Sequence, residues 1–126
     1  MNMNNRFDAK YSNGGTSIDI HLAVYTFVDG GASIAYCPAL DLSGYGETEE
    51  QAKSSFEEVM KQYIKYGISH GTLFRDMKKY GWNIANNKAS SPLTIKMIKK
   101  NDILRDIVEN KDYCKYSESI SIPIMA

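Results

Sequence analysis

The chain has 126 residues, close to the modal size of one domain, so a single core is expected. Nine Tyr, four Phe and Trp82 exclude a disordered chain, and no apolar run reaches the roughly 20 residues that a membrane helix needs. Fifteen basic residues balance fifteen acidic ones, but unevenly: residues 1–66 hold five against nine, residues 67–126 ten against six. Such a split marks either a nucleic-acid face on the second half or two halves that complement each other in one fold, and the second is the simpler account.

The first fifteen residues, MNMNNRFDAKYSNGG, lack a charged-then-apolar leader pattern and read as a flexible polar tail before a single domain over 16–126. Residues 18–28 alternate. Ile18, Ile20, Leu22, Val24 and Val28 share one side, with Asp19, His21, Ala23, Tyr25 and Phe27 on the other, the period of a strand with one strongly buried face. Asp29-Gly30-Gly31 supplies a tight hairpin. Residues 32–37 return as a second strand that Pro38 ends. Residues 39–43 read as a third strand with Leu40 and Leu42 inward, and Gly44-Tyr45-Gly46 as a break in the sheet.

Thr48-Glu49-Glu50-Gln51 is a capping box, with two acidic residues suited to the positive end of the helix dipole. Ala52, Phe56, Val59, Met60, Tyr63 and Ile64 recur at helical spacing, and Lys65 and Gly67 are the expected stop. A second helix fits 71–80, with Gly81 closing it and Trp82 as a core plug. Residues 85–92 read as a polar connector. Leu93, Ile95 and Met97 alternate as a strand would. Asn101 or Asp102 then caps a helix carrying Ile103, Leu104, Ile107 and Val108. Ile120, Ile122 and Ile124 form a terminal strand marked as an edge by Pro123. Cys37 and Cys114 are expected as buried free thiols of a reducing cytoplasm.

Catalytic constellations are scarce. His21 and His70 have no Cys or His at metal-ligand spacing, and the hydrolase elbow is missing. Gly44-Tyr45-Gly46 lacks the third glycine of a phosphate cradle and is better read as a turn. A metal-dependent nuclease would need Asp19, Asp29 and Asp41 to converge. No catalytic, metal-binding or cofactor-binding residue is therefore assigned. Lys96, Lys99 and Lys100 are the candidate contacts of a nucleic-acid-binding alternative.

The run Tyr36-Cys37-Pro38-Ala39-Leu40-Asp41-Leu42-Ser43-Gly44-Tyr45-Gly46-Glu47-Thr48-Glu49-Glu50-Gln51-Ala52, with the hairpin before it, resembles the HicB-like antitoxin family. The likeness covers residues 18–67: an aromatic before a proline, a leucine, a glycine, a Gly-Glu-Thr turn, then acidic residues opening a helix. It implies an α+β fold, an antiparallel β-meander with a helix on one face in a truncated RNase-H-like arrangement, here followed by a helix and strand extension over 68–126. It also implies a non-catalytic, self-associating binder that blocks a small HicA-like RNase toxin. The DNA-binding module usual in that family is not recognisable. The sheet face away from the helix, with His21, Tyr25 and Phe27, is the expected partner face unless the chain's own second half covers it. The alternative is a nucleic-acid binder, or a nuclease on an RNase-H-like sheet.

Overall fold

The computed structural model describes residues 9–12, 15–85 and 88–124. The fold is α+β. Its elements are β1 (Ala9–Ser12), β2 (Gly15–Asp29), β3 (Ala32–Cys37), β4 (Leu42–Gly46), α1 (Glu49–Ser69), α2 (Leu73–Lys79), β5 (Asn83–Ala85), β6 (Lys88–Ser90), α3 (Thr94–Lys100), α4 (Asp102–Asn110) and β7 (Cys114–Ile124). The long β2 is the axis of a five-stranded antiparallel sheet. Residues 16–26 of β2 pair with β7. On its other side β1 pairs with the start of β2 and β3 with its end, and β4 follows β3. The segment expected to be a flexible tail thus contains a strand, Ala9–Ser12. Backbone pairing to the neighbouring β2 holds it, without the apolar alternation that would announce it in the sequence.

Alternation in β2 predicts the core correctly. Ile18, Ile20, Leu22 and Val24 are buried against Ala52, Phe56, Met60 and Ile64 of α1 and against Leu73, Met77 and Trp82. Val28, assigned to the same side, is exposed because the hairpin tip extends past the core. The Trp82 indole N–H donates to the Ala39 carbonyl at 2.7 Å, so the core plug also satisfies a carbonyl in the β3–β4 turn.

The Gly-Tyr-Gly stretch does not break the sheet. It lies inside β4, which starts three residues later than expected because residues 38–41 turn and Asp41 takes a left-handed φ of 54°. A Cβ on Gly44 would stand 2.2 Å from the Phe56 nitrogen, and one on Gly46 would stand 2.5 Å from the Gln51 Cβ. The glycines let the α1 backbone lie directly on β4. The capping box forms as expected at the Thr48 end, where Oγ1 accepts the Gln51 N–H at 3.1 Å. The Gln51 side chain reaches back to the Glu47 N–H at 2.8 Å.

α1 continues through Gly67 to Ser69. Gly67 is a packing residue, since a Cβ there would stand 2.9 Å from the Leu73 Cβ. The second half departs further from expectation. The presumed polar connector holds the β5–β6 hairpin, anchored by fully buried Ala89. The Leu93–Ile95–Met97 strand is instead α3, with Leu93 and Ile95 exposed and Met97 half-buried. Five residues of alternation are too few to outweigh a helix docked by one turn. β7 begins at Cys114, six residues before the Ile120 alternation. Cys37 is buried as expected, whereas Cys114 is exposed, and both thiols are free.

Candidate functional site

The sheet face away from α1 is divided. At one end, Tyr25, Phe27 and Tyr36 pack under Leu104 and Ile107 of α4. Tyr25 and Phe27 are buried, so the chain's own second half covers these two members of the expected partner face. Three polar groups hold α4 there. The Asn101 amide donates to the Tyr36 hydroxyl at 2.8 Å, while its oxygen caps α4 by accepting the Leu104 N–H at 3.0 Å. The Tyr36 hydroxyl donates in turn to Asp41 Oδ1 at 2.9 Å. Burial pushes the Tyr36 phenol up to about 12; the Asn101 bond opposes this and Asp41 adds to it.

At the other end, α4 does not reach. His21 is half-buried beside β7, its Nδ1 2.8 Å from the Ser119 hydroxyl. Asp19 accepts a hydrogen bond from Ser121. Ser117 stands across from Ala23, so this part of the sheet is rich in hydroxyls.

The carboxylates of the nuclease alternative do not meet. Asp19 and Asp29 lie ten residues apart on β2, a separation of about 33 Å in an extended strand. Asp29 pairs with Lys111 at 3.7 Å, and Asp41 is engaged by Tyr36. Among the described residues no group of three or more His, Cys, Asp or Glu is placed to hold a metal.

A concavity of about 920 Å³ lies between the end of α2, the β5–β6 hairpin and the α3–α4 corner. Lys96 and Lys100 of the nucleic-acid alternative line it, one helical turn apart, and Lys99 is exposed on the same helix outside the cleft. Lys78 and Lys79 form the facing wall. Lys79 approaches Asp76 at 3.9 Å, whereas Lys78, Lys96 and Lys100 form no ion pair among the described residues. Tyr80, Leu93 and Ile103 line the same cleft, with Leu93 64% and Ile103 55% exposed. Sequence reasoning missed Lys78 and Lys79, because nothing local to α2 says that it faces α3. The uneven charge of the two halves was the available signal.

The remaining open feature is β7. Its inner edge pairs with β2 over eleven residues, and among the described residues no strand pairs with its outer edge. No described helix is long and apolar enough to cross a membrane.

Together these features define an α+β protein with an antiparallel sheet, a long open edge and a basic cleft. No protein-family model, curated protein or solved structure matches the chain.

Proposed function

We propose that the chain is a non-catalytic protein-binding module of the HicB-antitoxin kind, which takes a strand of its client onto the outer edge of β7. The observation that carries this reading is the edge itself. Along these eleven residues of extended backbone every second residue turns its main-chain donor and acceptor outward, and among the described residues no strand pairs with them. Lys115 and Glu118 are the only charged residues of the strand. Proteins that do not use such an edge blunt it with charge, proline, bulges or a covering element. Here the one proline, Pro123, lies next to the last residue of the strand. An added strand supplies main-chain hydrogen bonds to a protein client and to no other class of macromolecule.

The order of hairpin, third strand, glycine pair, capping box and helix agrees with the resemblance seen in the sequence, and a small RNase toxin is the client that this resemblance suggests. The chain would act by occlusion. The serines of β7 would be the polar groups next to an added strand, with His21 one strand further in.

Proline scanning tests the reading. Successive N–H groups along a strand point to opposite edges. Of Ser117→Pro and Glu118→Pro, therefore, one loses a bond to β2 and is destabilised, while the other loses only an outward donor. The folded member of the pair should fail to capture a HicA-like toxin in co-expression. Capture at undiminished yield would refute binding through this edge.

A further inference from the structure

We propose that the cleft between α2, the β5–β6 hairpin and the α3–α4 corner binds single-stranded nucleic acid. No residue of β7 lines it, so the inference stands apart from the client edge. Its first support is charge. Lys78 and Lys79 on one wall face Lys96 and Lys100 on the other, and three of the four are without a carboxylate partner among the described residues. Unneutralised lysines from two different helices, converging on one concavity, form a polyanion track.

The second support is what lies between the lysines. Tyr80 is 42% exposed and shares the lining with Pro92 and Met97. An aromatic ring with apolar neighbours is a platform on which a base stacks, whatever its identity. Asn83 and Ser90 sit opposite each other in the hairpin register and border the cleft, which places an amide and a hydroxyl at hand for base edges. Asn101, on the same lining, is already committed to Tyr36 and Leu104.

Asp41 and Asp102 also line the cleft, Asp41 accepting from Tyr36 and Asp102 from Arg105. They would repel phosphates there and confine the backbone to the lysine walls. The lysines line a concavity, and a single strand, whose unstacked bases can enter it, fits that shape. An acidic peptide would satisfy the lysines but would leave the Tyr80 platform without a stacking partner.

Fluorescence anisotropy on the full chain tests this, with short labelled oligouridylate and oligothymidylate as probes and a polyglutamate peptide as competitor. Binding is expected at low salt, with the logarithm of the constant falling by about 0.7 per phosphate engaged for each logarithmic unit of salt. The triple variant Lys78→Ala, Lys96→Ala, Lys100→Ala should weaken it at least tenfold. Tyr80→Ala should weaken it about tenfold, the scale of one lost stacking contact, and Tyr80→Phe should not. All four side chains are exposed, so the variants should melt with the parent. Lys65→Ala on α1 is the surface control. The proposal is overturned by absence of binding, by binding that ignores the cleft lysines, or by equal competition from polyglutamate with no effect of Tyr80→Ala. The last result would assign the cleft to an acidic protein surface.

Discussion

Asn101 joins α4 to the sheet through Tyr36, sixty-five residues earlier in the chain, by a 2.8 Å hydrogen bond from its amide to the tyrosine hydroxyl. The same side chain starts the helix by accepting the Leu104 N–H. One residue therefore both nucleates α4 and fixes where it lands.

Replacing Asn101 separates these two roles. Asn101→Ala removes the cap, worth about 1 kcal/mol, and deprives the part-buried Tyr36 hydroxyl of a donor, worth a further ~1 kcal/mol. Asn101→Asp keeps the capping oxygen and loses only the amide donor, while it places a second carboxylate near Asp41. Urea denaturation should rank the parent above both variants, with the alanine variant about 2 kcal/mol lower. Equal stability of parent and Asn101→Ala would show that α4 is held by Leu104 and Ile107 alone.

Gly44 should be the least replaceable glycine. A Cβ there would meet the Phe56 nitrogen, the Phe56 Cα and the Ala52 carbonyl within 2.7 Å. These are helix backbone atoms that cannot rotate away, so α1 must lift off β4. Gly44→Ala should cost more than about 3 kcal/mol, the scale of severe overpacking. Gly30→Ala meets nothing within 4 Å and suffers only from its positive φ of 59°, a cost of about 1–2 kcal/mol. Melting temperatures of the two variants check the order, and the reverse order would contradict the close helix–strand approach.

Tyrosine ionisation should unfold the chain in alkali. Tyr36, Tyr63 and Tyr116 are each pushed up to about 12, with burial the first cause in every case. The unfolded value is about 10. The folded state thus binds more protons between these two values, and stability, full below pH 10, falls as pH rises toward 12. The three residues differ at neutral pH. The Tyr63 and Tyr116 hydroxyls have no hydrogen-bond partner among the described residues, whereas Tyr36 has two. Tyr116→Phe should therefore be neutral or stabilising, and Tyr36→Phe should cost about 1–2 kcal/mol. Denaturant titrations at neutral and high pH, with tyrosinate absorbance followed in parallel, measure both effects.

What was legible in the sequence follows the strength of local signals. The β2 alternation and the α1 apolar stripe each span many residues with one consistent period, and both elements sit as expected. Signals failed where tertiary contacts decide. Gly44 and Gly46 carry turn chemistry in isolation, and only the approach of α1 turns them into packing residues. β7 was read short because its buried-face pattern is interrupted by Glu118, opposite Leu22. Burial, with Glu57 nearby, holds its carboxyl above the usual range, and Lys61 opposes this. His21, Tyr25 and Phe27 share one face of the sheet, but the helix that closes half of that face lies some eighty residues away. The cleft was least legible, because its two lysine walls come from helices whose facing is set by the hairpin between them.

The last prediction concerns the β7 edge in the absence of a client. An open strand of this length pairs with whatever strand is at hand, and in a pure preparation that is a second copy. Antiparallel pairing of two β7 strands about a two-fold axis gives a closed, isologous contact and joins two five-stranded sheets into one. The chain alone should therefore self-associate in a concentration-dependent way, and a client strand should displace the second copy. Light scattering over a wide concentration range measures the first, and the outward-facing member of the Ser117→Pro and Glu118→Pro pair should abolish it without loss of fold. Because hydrogen bonds and not ion pairs would hold the contact, added salt should leave it intact, whereas binding at the lysine cleft should fall away. A chain that stays monomeric at every concentration would remove the self-pairing claim.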